Sequence, residues 1–375
     1  MKTLGGKALN INHTISGRVS RERRRLGFSR DTVLVCDNNA RGNCGHLAVL
    51  TSASGIAGGK TPCVTRLAHD EIASLNDGDI VFLEPSGIVR RVWDVASRDN
   101  VVMVTNTCNC RCIMCPQPSG NDPEDQLSLN VRMLKLITNT DVSSIGFTGG
   151  EPTLRIDDLC VLLELCKKRF PTASISLLTN GRRYSNLEAA KRVAAVEHPS
   201  LTHCVSLNAD VDSLHDHIMG ASGSFREGIK GLHNLALLRQ RVEIRVVLMR
   251  DNYERLPSLA EFIYRNLPFA AHIALMGMET TGLALRHIEE VWIEPADYIL
   301  QLRRAVHHLQ QRDLDVSIYN LPLCVLPREL WCFARDSISD WKKAFLEQCQ
   351  ACSVRERCPG VFATSEKHSL NIRPV

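Results

Sequence analysis

The chain has 375 residues, of which 44% are hydrophobic and 23% charged, and its net charge is +4. These values are ordinary for globular domains and exclude a disordered chain, a collagen-like chain and a coiled coil. No apolar run approaches the roughly 20 residues of a membrane-spanning helix, and the charge is too small to indicate nucleic-acid binding. We therefore expect neither a membrane nor a nucleic acid as a partner.

The first part of the chain, residues 1–97, predicts a small β-rich N-terminal domain. It contains short apolar alternations such as Thr32–Cys36 and a strand-like segment, Asp79–Leu83, after a Gly-Asp turn. Such alternations between turn residues are typical of strands. This domain either supports the rest of the protein as a scaffold or binds a peptide leader by strand addition at a sheet edge.

From Asn100 onward, strand candidates alternate with helix candidates. The strand candidates are Val101–Thr105, Ser144–Thr148, Ser174–Thr179, His203–Asn208, Glu243–Met249 and His272–Met276. The helix candidates between them are Leu129–Asn139, Ile156–Phe170, Asn186–Val196, Phe225–Gln240 and Arg255–Asn266. This alternation indicates βα units and a parallel sheet, either open or part of a barrel.

The last part of the chain differs in composition from this core. A long helix candidate, Ala296–Arg312, and a strand candidate, Asp315–Asn320, precede a cysteine-rich tail. We therefore divide the chain into an N-terminal domain of residues 1–97, a core of residues 98–300 and a C-terminal extension of residues 301–375.

Cysteine is the one abnormal count, at 15. The odd number excludes a fully paired disulfide framework, and the absence of an apolar signal stretch near the N-terminus predicts the cytoplasm, where disulfides are rare. Four cysteines lie within Cys108–Cys115 and five within Cys324–Cys358. Grouped cysteines in such a setting usually hold metal or do redox chemistry.

The first group follows the first core strand, where ligands bind in parallel α/β sheets. Cys108, Cys112 and Cys115 have the spacing Cys-x3-Cys-x2-Cys. Three thiolates on a short loop suit three irons of a cubane cluster and leave the fourth iron open. A zinc site with a fourth ligand from elsewhere also fits the spacing. Cys110 lies outside the pattern, and we expect it not to be a ligand.

A second motif favours the iron–sulfur interpretation. Thr148-Gly149-Gly150-Glu151-Pro152 ends the second core strand candidate, one βα unit after the cysteines. The glycines let the backbone approach a ligand closely, and Glu151 or its neighbouring backbone can accept hydrogen bonds from an ammonium group. In combination with the cysteine spacing, this string is highly specific.

Over residues 98–300 these motifs resemble the radical S-adenosylmethionine (radical SAM) superfamily. The resemblance implies a partial (β/α)6 TIM-type barrel that holds a [4Fe–4S] cluster with an open iron site, and SAM as cofactor. It implies reductive cleavage of SAM to a 5′-deoxyadenosyl radical, which abstracts a hydrogen atom from the substrate, with electrons from a reducing donor. Met114 departs from the family pattern, which often has an aromatic residue there.

The same resemblance suggests which residues bind each group, although it names no catalytic side chain. It implies that Cys108, Cys112 and Cys115 ligate the cluster. The implied SAM contacts are Gly149, Gly150 and Glu151 for the amino group, Ser206 and Asn208 for the ribose, the strand-end residues Thr179 and Asn180, and Met276 near the adenine. Arg245 pairs either with the SAM carboxylate or in a structural ion pair.

The second cysteine group predicts a further metal site in the extension. Cys349, Cys352 and Cys358 have the spacing Cys-x2-Cys-x5-Cys. We expect Cys324 to be the fourth ligand, with Cys332 as the alternative fourth ligand or a spare thiol. A zinc ribbon and a second iron–sulfur cluster both fit. The extension resembles the twitch and SPASM extensions of radical SAM enzymes, which implies a single auxiliary [4Fe–4S] cluster.

Several strings narrow the resemblance to the His-Xaa-Ser system radical SAM maturases of the HxsC type. They include Cys115-Pro116-Gln117-Pro118, Asn320-Leu321-Pro322-Leu323-Cys324 and Ser337-Ile338-Ser339-Asp340-Trp341-Lys342. This resemblance implies modification of a ribosomally made peptide with His-Xaa-Ser repeats, together with a second radical SAM maturase. The alternatives are a radical SAM enzyme of cofactor or nucleotide-derived small-molecule biosynthesis, and a non-catalytic module stabilised by metal.

Overall fold

The computed structural model describes residues 2–22, 29–36, 45–55, 60–122, 125–139 and 141–375. The chain forms two compact units. The first comprises Met1–Val102, Pro123–Gly146 and Glu164–Ala173, and the second comprises Met103–Asp122, Phe147–Leu163 and Ser174–Val375. Within the described ranges, no helix is long and apolar enough to cross a membrane.

The N-terminal region contains an eight-stranded sheet, which confirms its predicted β-rich character. Its strands are β1 (Lys2–Gly5), β2 (Lys7–Leu9), β3 (Ile15–Ser20), β4 (Thr32–Cys36), β5 (Ala48–Thr51), β6 (Cys63–Thr65), β7 (Ile80–Leu83) and β8 (Ile88–Trp93). A short helix, α1 (His69–Ala73), connects β6 to β7. The strand order is β1-β8-β7-β3-β4-β5-β6-β2, with both parallel and antiparallel pairs.

The two end strands of this sheet are consecutive in the chain. Strand β1 pairs with β8 and strand β2 pairs with β6, and only Gly6 separates β1 from β2. The sheet therefore curls until its two ends lie side by side around a buried apolar core that includes Leu4, Val33 and Leu50. Closure of this kind removes most of a sheet's free edge, which disfavours the predicted addition of a peptide strand.

The second sheet also has eight strands, arranged in the order in which they occur along the chain. They are β9 (Asn100–Thr105), β10 (Ser144–Gly149), β11 (Ser174–Thr179), β12 (Leu201–Ser206), β13 (Arg241–Val247), β14 (His272–Met276), β15 (Val316–Tyr319) and β16 (Ala334–Arg335). Neighbouring strands from β11 to β16 are parallel. This confirms the predicted α/β fold, since the sheet is consistent with a partial barrel.

Helices alternate with these strands. They are α2 (Gln126–Leu136), α3 (Ile156–Arg169), α4 (Leu187–Ala194), α5 (Asp212–Met219), α6 (Ser224–Leu237), α7 (Leu256–Asn266), α8 (Gly282–Arg286), α9 (Ile288–Val291) and α10 (Pro295–Gln310). Helix α4 begins where the Asn186 side chain accepts hydrogen bonds from Glu188 N and Ala189 N, a typical N-cap. Helix α5 was not predicted, because its eight residues contain too few apolar positions for a clear helical period.

The tail beyond β15 contains only short elements. Two-residue strands β17 (Lys343–Ala344) and β18 (Val361–Phe362) form an antiparallel pair, and 3₁₀ turns occur at Leu323–Val325, Arg328–Phe333, Asp340–Lys342, Glu347–Ala351 and Arg355–Arg357. So few regular hydrogen bonds give this region little stability of its own. We therefore expect side-chain packing or a bound group to hold it together.

Candidate functional site

The candidate site lies at the carboxyl ends of the parallel strands, on the segments that follow β9 to β14. We call residues 106–122, which follow β9, the cysteine loop. Two backbone hydrogen bonds join its start to the end of β10: Gly150 N donates to Thr105 O and Glu151 N donates to Thr107 O, both at 2.8 Å. A Cβ atom on Gly150 would lie 2.1 Å from Thr107 O, so only glycine permits this approach.

The middle of the cysteine loop is joined to helix α5. Arg111 N donates to Met219 O and Ile113 N donates to Ile218 O, each at 3.0 Å. The helix ends one residue later at Gly220, whose φ of 58° is left-handed. The loop that carries the three predicted ligands is thus fixed by backbone bonds from two different elements.

The three predicted cluster ligands lie half-buried on this loop. Cys112 Sγ is 3.7 Å from Met219 Sδ, and Cys115 Sγ donates to Gln117 O at 2.9 Å. Burial raises the pKa of the Cys115 thiol. The pKa of Cys108 is also raised, most by a hydrogen bond with Cys110 and next by burial. Cys108 and Cys115 would need the positive charge of bound metal to ionise at neutral pH.

Glu151 is buried, and its carboxylate binds the protein itself. Oε1 accepts hydrogen bonds from Thr153 N at 3.0 Å, Thr153 Oγ1 at 2.5 Å and Thr179 Oγ1 at 2.7 Å, while Oε2 accepts one from Asn180 N at 2.6 Å. Burial raises the pKa of Glu151, and these hydrogen bonds oppose that rise. Hydrogen bonds of Glu151 therefore join the ends of β10 and β11. Gly149 and Gly150 directly precede Glu151 in the chain.

The two residues proposed for the ribose differ in their environments. Asn208 is fully buried, and its side chain accepts from Val247 N at 3.0 Å and lies 3.5 Å from Met219 Sδ. Its side chain therefore joins two strand ends. Ser206 is only half-buried, and its hydroxyl has no hydrogen-bond partner within the described part of the chain. Ser206 is thus the better placed of the two for an external hydroxyl group.

Arg245 takes part in a hydrogen-bonded network on one face of the sheet. Arg245 Nε donates to Glu243 Oε1 at 2.5 Å, and Glu243 Oε2 lies 2.9 Å from His272 Nδ1. The other ring nitrogen of His272 is 2.9 Å from Ser317 Oγ. The sequence left two roles open for Arg245, a pair with the SAM carboxylate or a structural ion pair. The structure contains a structural ion pair, between Arg245 and Glu243.

Burial by itself would raise the pKa of Glu243, but the hydrogen bond to His272 and the charge of Arg245 lower it to about 2. Glu243 is therefore a carboxylate at neutral pH, and Arg245 offsets its negative charge within the network.

Met276, at the end of the neighbouring strand β14, accepts a backbone hydrogen bond from Leu248 N at 2.8 Å. The side chain of Met276 is half-buried.

Sequence reasoning missed Glu243, His272, Arg182 and Glu227. The sequence contained a signal for Glu243, because Glu243 and Arg245 are two positions apart on one strand and so share a face. His272 lies on the neighbouring strand, and only the sheet register pairs it with Glu243. Arg182 and Glu227 gave none, since 45 residues separate them and only the fold makes them an ion pair of 2.6 Å. Long-range pairs of this kind depend on the tertiary arrangement.

The tail brings together four of its five cysteines. Cys324, Cys349, Cys352 and Cys358 line one pocket, together with apolar residues such as Phe345 and Val361. Cys332 is exposed and does not line this pocket. Leu323 N donates to Cys358 Sγ at 3.4 Å. Of the two candidates for the fourth position, the structure places Cys324 with the other three.

Neither cysteine group converges on a single ion position. In the described ranges, no three His, Cys, Asp or Glu side chains are arranged to hold one metal ion. A cubane cluster differs from a single zinc ion because each thiolate binds a different iron, so its ligands surround a volume. The structure thus brings three thiols onto one fixed loop and four thiols around one apolar pocket, and thiolates are the donors that iron–sulfur clusters use.

The fold and the site together define a parallel α/β domain with a three-cysteine loop at the carboxyl ends of its strands. Residues 102–263 match the family described as the Radical SAM superfamily. This part of the chain is thus a radical SAM domain, and the family implies a [4Fe–4S] cluster and SAM. The match includes strands β10 to β13 and most of β9, and it ends before β14, which carries Met276, and before the second cysteine group.

Curated relatives and solved structures are similar to part of the chain. GTP 3′,8-cyclase of Pasteurella multocida (strain Pm70) is 35% identical over 159 residues, which are 40% of this chain and 44% of the relative. GTP 3′,8-cyclase of Vibrio parahaemolyticus serotype O3:K6 (strain RIMD 2210633) is 31% identical over 43% of this chain and 48% of the relative. The chain thus spans about half the length of these relatives.

Among solved structures, Streptococcus suis SuiB bound to S-adenosylmethionine is 20% identical. The match covers 59% of this chain and 50% of that chain, with a TM-score of 0.49.

Proposed function

We propose that this protein is a radical SAM enzyme that cleaves SAM reductively and abstracts a hydrogen atom from its substrate. The observation that carries the proposal is the cysteine loop: three thiols at Cys-x3-Cys-x2-Cys spacing, fixed by backbone bonds beside the Gly149-Gly150-Glu151 turn. A structural metal site would not need this turn. When bound, the cluster and SAM supply a 5′-deoxyadenosyl radical.

The chain's own residues hold and orient these groups. Cys108, Cys112 and Cys115 would ligate the cluster, and Gly149 and Gly150 would leave backbone accessible to the amino group of SAM. Glu151 would act by fixing this backbone, and the unbonded hydroxyl of Ser206 would bind the ribose. The apolar surroundings of the loop, including Met114 and Met219, would exclude water from the reactive centre.

The second cysteine group supports an auxiliary [4Fe–4S] cluster held by Cys324, Cys349, Cys352 and Cys358. Four thiolates satisfy all four irons of a cubane and leave none open. We therefore propose that this cluster transfers electrons and stabilises the tail, whereas substrate binds elsewhere. The donation from Leu323 N to Cys358 Sγ supports this assignment, because hydrogen bonds to cluster sulfurs tune the reduction potential.

For the substrate, the comparisons favour a nucleotide-derived small molecule over a peptide. The two curated relatives described above are both named GTP 3′,8-cyclase. Their similarity extends over less than half of this chain, so GTP itself is a candidate that needs a direct test. Closure of the N-terminal sheet also removes most of the free edge that peptide binding by strand addition would require.

A peptide with His-Xaa-Ser repeats is the second candidate substrate. It is supported by strings that lie outside the radical SAM match, at Asn320–Cys324 and Ser337–Lys342. Under this alternative, a second radical SAM maturase would act on the same peptide.

One experiment tests the activity and separates the two substrate classes. The protein is reconstituted anaerobically with iron and sulfide, reduced with dithionite and incubated with SAM. GTP or a His-Xaa-Ser repeat peptide, each deuterated at carbon, is then added. We expect 5′-deoxyadenosine by mass spectrometry, with deuterium transferred into it only from the true substrate.

The matched controls are Cys112→Ala and Cys332→Ala. The first removes a predicted ligand of the catalytic cluster and should abolish 5′-deoxyadenosine, whereas the second removes an exposed thiol and should leave it unchanged. A wild-type protein that holds iron but forms no 5′-deoxyadenosine would refute the activity. Deuterium transfer from the peptide and not from GTP would make the peptide the first candidate substrate and the nucleotide the second.

A further inference from the structure

Arg182 bridges the cysteine loop and helix α6 within the second unit. Its Nη1 donates to Asn109 O at 2.6 Å and lies 3.6 Å from Cys110 Sγ, while its Nε donates to Glu227 Oε2 at 2.6 Å. The Arg182 side chain is only 14% exposed, although Glu227 on α6 is 45% exposed. One guanidinium therefore joins two elements that are far apart in the chain.

Asn180 strengthens the same attachment from the end of β11. Its Nδ2 donates to Asn109 Oδ1 at 2.7 Å and to Cys110 Sγ at 3.4 Å. Its backbone N–H is the one bound by the buried Glu151 carboxylate. The connection therefore runs without a break from Glu151 through Asn180 to the loop.

Cys110 is the cysteine of this loop that the ligand spacing excludes. It is 5% exposed, and its sulfur lies next to Cys108 and accepts N–H donors from Asn180 and Arg182. Hydrogen bonds to a sulfur are compatible with metal ligation, so the spacing alone excludes Cys110 as a ligand. The contact with Cys110 brings the positive charge of Arg182 close to the predicted cluster.

We propose that Arg182 is a positioning residue for the catalytic cluster, holding the loop through Asn109 and Cys110 and placing a positive charge beside the cluster. This inference rests on the proposed radical SAM function. A cluster gains negative charge on reduction, and a nearby cation in a medium of low dielectric constant stabilises the reduced form. Arg182 should therefore make the cluster easier to reduce.

The test is a potentiometric titration of the reconstituted protein, followed by electron paramagnetic resonance. The catalytic cluster is identified as the reduced signal whose shape changes when SAM is added. In Arg182→Gln we expect iron content close to wild type and a more negative midpoint potential, so that less than half of this cluster is reduced at the wild-type midpoint. Arg182→Lys keeps the charge and should recover part of the shift.

Three further variants serve as controls for the Arg182→Gln measurement. Arg192→Gln removes an equal charge from an exposed ion pair with Asp157 and should leave the potential unchanged. Glu227→Gln removes the carboxylate that offsets the charge of Arg182, so the midpoint potential should become less negative, opposite in sign to the shift in Arg182→Gln. Cys110→Ala should keep its iron, because the spacing excludes Cys110 as a ligand.

The outcomes separate this inference from the proposed function. A wild-type protein with no SAM-sensitive signal would refute both. A normal wild-type signal with the same potential in Arg182→Gln would refute only the role of Arg182. Loss of iron in Cys110→Ala would identify Cys110 as a ligand and overturn its assignment here.

Discussion

The backbone N–H of Asn180 donates to Glu151 Oε2 at 2.6 Å, so one buried carboxylate joins the ends of two neighbouring parallel strands. The other oxygen of Glu151 binds Thr153 and Thr179. A charged residue that sequence motifs associate with a ligand is thus also part of the framework. Its removal should affect folding as well as binding.

Glu151→Gln should destabilise the protein by about 3 kcal/mol, because the amide cannot accept all of the buried donors and leaves some unsatisfied. Urea unfolding followed by circular dichroism would measure this loss. Thr179→Val removes one donor from the same carboxylate and should cost only about 1 kcal/mol. Equal stability of Glu151→Gln and wild type would mean that the carboxylate does not hold the strand ends.

Gly220→Ala should destabilise the protein and lower the iron content of the reconstituted enzyme. Its φ of 58° is unfavourable for alanine, and the added Cβ would lie 2.3 Å from Arg111 O on the cysteine loop. Gly223→Ala is the matched control, since Gly223 has a φ of 75° but no atom within 4 Å of the added Cβ.

The control should therefore cost about 1 kcal/mol from backbone strain alone and keep its iron. Iron analysis and thermal unfolding of both variants would separate the two effects. Equal iron loss in the two variants would argue against the close contact with the loop as the cause.

The ion pair of Glu243 should make stability depend on pH in the acid range. The hydrogen bond to His272 and the charge of Arg245, acting against burial, lower the pKa of Glu243 from 4.5 to about 2 in the folded protein. A lowered carboxylate pKa adds stability above pH 4.5, and this contribution is lost as the pH falls toward 2.

Glu243→Gln should consequently be less stable than wild type at pH 7, and the difference should shrink as the pH falls from 5 toward 3. Urea midpoints of both proteins at matched pH values measure this directly. A difference that stays constant over the whole range would show that the charge of Glu243 does not contribute.

Iron analysis of tail variants should identify the fourth ligand of the auxiliary cluster. Two cubanes give about eight irons per chain in the reconstituted wild type. Cys324→Ala should lower this number toward about four, because Cys324 lines the four-thiol pocket. Cys332→Ala should leave it near eight. The reverse pattern would assign Cys332, and bound zinc in place of iron would refute the auxiliary cluster.

Much of the core could be predicted because most of its strands and longer helices have a local signature in the sequence, which the short helix α5 lacks. Strands such as Ser174–Thr179 and His272–Met276 were predicted with their exact bounds, since short apolar runs between helical segments are distinctive. The spacing of Cys108, Cys112 and Cys115 and the Gly149-Gly150-Glu151 turn are likewise continuous in the sequence. A motif of this kind is readable without knowledge of the fold.

The sequence by itself therefore determined the α/β class, the family resemblance and the two groups of cysteines. The tertiary structure decided that Glu151 binds Asn180 and the threonines, that Arg245 pairs with Glu243, and that Cys324, not Cys332, lies with the other tail thiols. It also revealed Arg182 between Glu227 and the cysteine loop. The physical reason is distance along the chain: hydrogen bonds and ion pairs between residues tens of positions apart form only after packing has brought their strands and helices together.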